Sequence, residues 1–328
     1  MHRGEGSGRG RGHATAGSSG PAGPARLRGR WLGVAVALAG LPLAAAAQLP
    51  PVVTLPCGTE IHASEATGFV LFPQDDAFCP FVADPKQQRS FLALQRGEFA
   101  TLELPEVEAT SIGAIGLADA VGIVRWGGRR AGDGFHLALA GSIFAQFDLG
   151  TPSVDLINAD YIVALPLTWR RGWISMRFRL YHQSSHLGDE YVLRGTEIQR
   201  ENLSFESFEA LFSAEAGPLR LYGGGETFFR RDPESVDRLL AHTGIELRAG
   251  ARRTLSMLSG LDLKFSQQQE WRRALSARAG LQIAPLSRSG HPIRRVLLLA
   301  EYYDGPAPYG QFFLDEIRYA GIGIHLVH

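Results

Sequence analysis

From about Arg89 to the C-terminus the chain alternates apolar and polar residues with a period of two, in segments rich in β-formers and punctuated by Gly and Pro. The pattern predicts strands over 89–98, 112–126, 135–149, 159–169, 172–184, 207–216, 219–230, 239–250, 254–266, 272–284, 295–303 and 315–327. In the clearest of these one parity is apolar: Leu219 and Leu221; Ile245, Leu247 and Ala249; Leu261, Leu263 and Phe265; Leu275, Ala277, Leu281 and Ile283. The other parity carries Arg177, Arg179, Arg220, Arg248, Lys264 and Arg278 against Glu209, Glu215, Glu226, Glu246, Asp262 and Glu301. A charge-balanced polar face suits a narrow interior, where ions removed from water must find partners, better than a wide aqueous pore. A soluble β-sandwich would turn the same face to solvent, and alternation alone allows both.

The connections separate the two. Arg170-Arg171, Gly217-Pro218 and 251–253 are tight, whereas 185–206, 231–238 and 304–314 are long, which is the arrangement of a membrane barrel with short turns on one side and long loops on the other. The connection at 285–294 departs from it. Trp126, Trp169, Trp173 and Trp271 fall near strand ends, where interfacial girdles lie. The expected fold is therefore an all-β, transmembrane antiparallel β-barrel of about twelve strands.

Ahead of the barrel, Trp31 to Ala47 is an apolar run that follows a basic, Gly-rich lead and ends in small residues, so 1–47 reads as a secretory signal. No later apolar run is long enough for a spanning helix. Residues 48–88 are Pro-rich and aperiodic and read as a short irregular periplasmic segment, with 89–328 forming the barrel. The only two cysteines, Cys57 and Cys79, fall in that segment, and an exported chain predicts a Cys57–Cys79 disulfide. Lys plus Arg and Asp plus Glu number 33 each, so no basic surplus points to nucleic acid. The expected partners are outer-membrane lipids and, during insertion, the barrel-assembly machinery; the expected location is the outer membrane. The sequence leaves the oligomeric state open.

One stretch carries candidate chemistry. In Gly172 to Tyr191 the apolar parity of Ile174, Met176, Phe178 and Leu180 continues into His182, Ser184 and His186. A His and a Ser two residues apart on one strand face lie about 7 Å apart at Cα, close enough for the imidazole to act as base for the hydroxyl. With the C-terminus on the periplasmic side, both sit on the lipid-facing wall at outer-leaflet height. Glu206 shares the lipid-facing parity of the return strand, and a hairpin symmetric about Gly195 would set it opposite Ser184 as the third member. Asp189, Glu190, Glu197 and Asn202 are competitors. Asp189 with Glu190 could offer oxygen ligands to calcium. Equally, a rim strand leaving the hydrocarbon turns polar, and these residues would then mark the headgroup level. Gly223-Gly224-Gly225 lacks the Lys-Ser of a phosphate loop and fits crowded strand packing. His136, His242, His291 and His325 show no metal-ligand spacing.

Tyr181-His182-Gln183-Ser184 resembles the active-site strand of outer membrane phospholipase A, a twelve-stranded, calcium- and dimer-dependent enzyme; lipid A deacylases share the His-x-Ser spacing. That resemblance implies His182 as base and Ser184 as nucleophile. The phospholipase's Asn-Gly after the serine is Ser185-His186 here, and its orienting Asn falls on Thr196. Leu71-Phe72-Pro73, Ala83-Asp84-Pro85 and Ser184 through Tyr191 together are similar to the bacterial outer-membrane barrels grouped as domain of unknown function 1207, which implies the fold and location without an activity. Two functions follow: a structural, binding or transport barrel, or a lipid acyl hydrolase.

Overall fold

A computed structural model describes residues 52–55, 60–62, 68–74, 76–99, 110–130, 132–194, 203–252, 255–284 and 295–327. The expected signal at 1–47 and Cys57 lie outside these residues. A short pair, β1 (Val52–Thr54) and β2 (Glu60–His62), precedes β3 (Gly68–Leu71). Twelve long strands follow: β4 (Ser90–Phe99), β5 (Thr110–Gly127), β6 (Gly134–Asp148), β7 (Asp155–Arg171), β8 (Ile174–Leu187), β9 (Leu203–Ala216), β10 (Leu219–Asp232), β11 (Leu239–Arg252), β12 (Leu255–Ser266), β13 (Arg273–Ile283), β14 (Arg295–Pro306) and β15 (Glu316–Val327). Each of the twelve strands expected from the alternation is present. Every neighbour pair is antiparallel, and β15 pairs β4 from Ile317↔Phe99 to Leu326↔Ser90, so the twelve long strands close into a barrel.

The wall is inverted relative to a soluble protein. Apolar side chains such as Leu92, Val121, Val163, Leu221, Ile322 and Ile324 are exposed on the outside, while Arg125 and Arg170 are among the largest fully buried side chains. This arrangement requires an apolar surrounding medium. Tight turns at Gly172-Trp173 and Gly217-Pro218, each with its glycine at φ +59°, lie at the same end as both barrel termini. Trp126 and Trp173 are exposed at that end, and Trp271 at the other.

β3 pairs with the end of β5 (Phe69↔Trp126), taking the wall position that β4 leaves open below Ser90. Between β3 and β4, residues 76–89 turn into the barrel and fill it. Arg170 Nε donates to the Ala77 carbonyl (2.6 Å), Arg220 to that of Pro80 (3.3 Å) and Arg278 to that of Asp84 (3.2 Å). The Val82 amide donates to Glu246 (2.6 Å), Lys264 pairs with Asp84 (2.7 Å), and Lys86 pairs with Asp160. Phe81 is fully buried against Tyr222, with the Arg177 and Arg220 guanidiniums over its ring at 4.9 and 4.8 Å. Backbone carbonyls and amides that no sheet satisfies are thus satisfied by wall charges. Arg89 folds back on the same segment, donating to Phe81 and Val82 carbonyls. The charged interior expected from parity is present, and part of it holds this plug.

Candidate functional site

β8 places its residues as the alternation requires. Arg177, Arg179, Tyr181, Gln183 and Ser185 are buried in the lumen, while His182 and Ser184 stand on the outer wall. They are seven and five residues before α1 (Asp189–Arg194), at the end of the barrel opposite the tight turns.

The return strand corrects one expectation. Glu206 pairs with His182, not Ser184, which faces Ser204. The hairpin is symmetric about Arg194 rather than Gly195, because β8 runs on to Leu187 and α1 takes up the following residues; moving the centre by one moves the partner by two, which preserves the face. His182 Nδ1 lies 3.2 Å from Glu206 Oε1, on side chains 46% and 28% exposed. Among the described residues neither His182 Nε2 nor Ser184 Oγ has another hydrogen bond. The imidazole is therefore held through the nitrogen that a triad's carboxylate occupies, and among the described residues no hydrogen bond joins His182 to Ser184.

Arg230 completes the cluster, its Nε 3.8 Å from Glu206 Oε2 and its side chain 81% exposed. Strict alternation from Arg220 and Glu226 would point Arg230 into the lumen. The register of β9 against β10 shifts between Phe228 and Arg230, and this bulge turns Arg230 outward beside Glu206. Nothing in the sequence marks the bulge.

Asp189 and Glu190, expected to offer oxygen ligands to calcium, lie at the start of α1. Both are exposed in the first turn of α1, where carboxylates complement the helix N-terminus, and no group of three or more His, Cys, Asp or Glu among the described residues could hold a metal. Glu197 and Asn202 lie outside the described residues. Ser185, next to the candidate nucleophile, points inward and serves a different purpose: its hydroxyl bonds Asp160 and accepts the Gln311 amide (3.1 Å), and its carbonyl accepts Gln311 Nε2 (2.8 Å). It fastens the β14–β15 loop over the lumen, where Tyr309 and Phe312 pack with Tyr191 and Tyr303. Cys79 is fully buried, its Sγ 3.4 Å from Arg170 Nη2.

Cavities lie above and below the plug. One of about 170 Å³ is lined by Lys86, Arg179, Tyr181, Glu226 and Tyr309. Another of about 160 Å³ is lined by Asp76, Gln88, His136 and Arg177. Of the charges around them, Arg179 pairs with Glu209 (2.8 Å), Lys86 with Asp160 and Lys264 with Asp84 (2.7 Å).

Among solved structures the chain's fold is similar to that of outer-membrane β-barrels. It is similar in fold to outer membrane phospholipase A from Escherichia coli, at 12% identity over 77% of this chain and 94% of that one, with a TM-score of 0.50. The Salmonella typhi phospholipase, a dimer with bound calcium, is 13% identical over 75% and 93%, with a TM-score of 0.48. The translocator domain of the autotransporter NalP from Neisseria meningitidis is 10% identical over 75% and 90%, with a TM-score of 0.33. No curated protein matches the chain in sequence. A family model matches residues 45–328, nearly all of the chain outside the expected signal, and the protein therefore belongs to the family described as protein of unknown function DUF1207.

Proposed function

We propose that this protein resides in the outer membrane and hydrolyses acyl esters of lipids in the leaflet that meets the long-loop end of the barrel. The observation that carries the reading is the Glu206 contact to His182 Nδ1 on the lipid-facing wall, with Ser184 two residues further along the same face. His182 Nε2 takes the Ser184 proton as Oγ attacks the ester carbonyl. The C–O bond to the glycerol or sugar then breaks, and the leaving oxygen takes that proton from the imidazolium. Water, deprotonated by the same nitrogen, cleaves the acyl-serine to release the fatty acid. Glu206 stabilises the imidazolium, and Arg230 offers a cation to a phosphate headgroup or to the developing oxyanion.

The apolar outer wall supports the membrane location, with lipids as the surrounding partners and the barrel-assembly machinery as the route of insertion. A Cys57–Cys79 disulfide belongs to the same proposal, since it needs an oxidising compartment. The other candidate role is a structural, binding or transport barrel without this chemistry; for transport it meets a lumen occupied by the plug and crossed by the β14–β15 loop.

The deciding assay is fatty-acid release from phospholipid and from lipid A in mixed detergent micelles. Wild type should release acid, and Ser184→Ala should lower the rate by at least about 10³-fold. Equal rates for the two, or no release by wild type, would refute the hydrolase and leave a barrel without this chemistry.

A further inference from the structure

The outer wall of a membrane barrel is ordinarily a convex apolar cylinder, but here it is dented. A hollow of about 360 Å³ lies across β9, β10 and β11 and is lined by Phe208, Gly225, Thr227, Leu239, Ala241 and Trp271. Small residues in register, Gly225↔Ala241, line its floor, and the large ones its sides. A Cβ at Gly225 would come within 2.9 Å of the Leu240 carbonyl, so β10 and β11 pack too closely here for any larger residue without a backbone shift.

One wall of the hollow is held at a cost. Trp271 follows a 3₁₀ turn (Gln267–Gln269) whose end is closed by Glu270 N–H to Gln267 and Trp271 N–H to Ser266, both at 2.9 Å. Both residues are left-handed, at φ +52° and +61°, a region that favours glycine and is rare for a bulky side chain. Strained backbone of this kind gathers at ligand clamps, and here its effect is to hold an indole, 47% exposed, at the rim of the hollow.

The position of the hollow relates it to the triad. Phe208 is the lipid-facing residue next to Glu206 on β9, and it pairs with Leu180, the lipid-facing residue next to His182 on β8. Its other partner, Thr227, lies in the hollow. From His182 the near edge of the hollow at Thr227 is thus two strand spacings across and two residues along, roughly 12 Å, and Gly225 is two spacings across and four residues along, roughly 16 Å, on a continuous lipid-facing surface. We infer that this hollow is the acyl-chain subsite of the proposed hydrolase: the chain of the membrane lipid lies between Phe208 and Trp271 over Gly225 and Ala241, while its ester reaches Ser184. The inference rests on the hydrolase reading for its catalytic meaning and on the hollow alone for its occupant.

The test has two arms. In vesicles containing a phospholipid with a mid-chain diazirine, photolysis should label the 225–241 and 271 peptides several-fold above those of β5 and β6 on another part of the wall. Ala241→Phe, which fills the floor, should abolish the excess. Uniform labelling around the barrel would overturn the subsite whether or not the protein is an enzyme. In the second arm, Ala241→Phe should reduce the rate on dipalmitoyl phospholipid relative to a butyrate ester by about tenfold, the effect of roughly two methylenes losing their contacts. An unchanged ratio with active enzyme overturns the subsite. Selective labelling without fatty-acid release removes the hydrolase and leaves the lipid site standing.

Discussion

Removing Glu215 should destabilise the barrel far more than removing its partner Arg170. Arg170 is 2% exposed and its guanidinium is held bidentately by Glu215, at 2.7 and 2.8 Å, while Nε donates to the plug at Ala77. Glu215→Leu leaves that cation buried, and beside it Arg220, which lies 3.8 Å from the same carboxylate, and Arg248, which shares Glu246 with Arg220. Three guanidiniums would then face one carboxylate. Breaking a buried pair from one side costs about 3–5 kcal/mol. Arg170→Met leaves Glu215 with Arg220 still at hand, so its cost should be smaller, about 1–3 kcal/mol. The double variant should be more stable than Glu215→Leu alone, giving a coupling of about 1–3 kcal/mol in a double-mutant cycle. Urea unfolding in lipid vesicles, followed by tryptophan fluorescence, measures all four. A Glu215→Leu cost below about 1 kcal/mol, or additive single effects, would refute the claim that this pair is a desolvated anchor for the plug.

Other outcomes follow from the same structure. Replacing 77–86 by a Gly-Ser stretch of equal length should turn a silent barrel into one that conducts ions across planar bilayers; wild-type steps of the same size would show that 76–89 does not seal the lumen. Burial would raise the Asp84 carboxyl, but Lys264 at 2.7 Å and nearby His242 outweigh it and hold the group well below the usual carboxylate range. Its stabilisation is therefore complete above the ordinary carboxylate pKa of about 4 and fades only as pH falls below it. The stability difference between wild type and Asp84→Asn should accordingly stay constant from about pH 7 to 5 and shrink below about pH 4; a difference that shrinks already at pH 5 to 7 contradicts this. Intact mass after alkylation without reductant should show no label on Cys57 or Cys79 in exported protein, whereas two labels would exclude their disulfide. Glu206→Gln should lower fatty-acid release while Ser204→Ala, opposite Ser184, should leave it within about twofold; equal losses would assign the cluster to strand packing.

The strands were legible because their two faces meet opposite media. With lipid on one side and paired charges on the other, alternation is clean enough to read Arg177, Glu209 or Glu246 as inward from the sequence alone. His182 and Ser184 were placed on the outer wall by the same rule. The register of β8 against β9 was not legible to better than two residues, since it depends on how α1 takes up the loop, and so the His182–Glu206 contact emerged only in three dimensions. Arg230 was hidden by a bulge. The plug had no periodicity to read: its contacts run from Val82 to Glu246, Asp84 to Lys264 and Lys86 to Asp160, and an aperiodic Pro-rich run gives no hint of partners so far along the chain.

Both ends of the plug are built into the wall, through β3 on one side and β4 on the other. A stopper tethered in this way cannot diffuse off. Its return to the lumen is an intramolecular event governed by a local concentration in the millimolar range, whatever the abundance of the protein in the membrane. A plug displaced from the lumen therefore stays beside it, held at both ends.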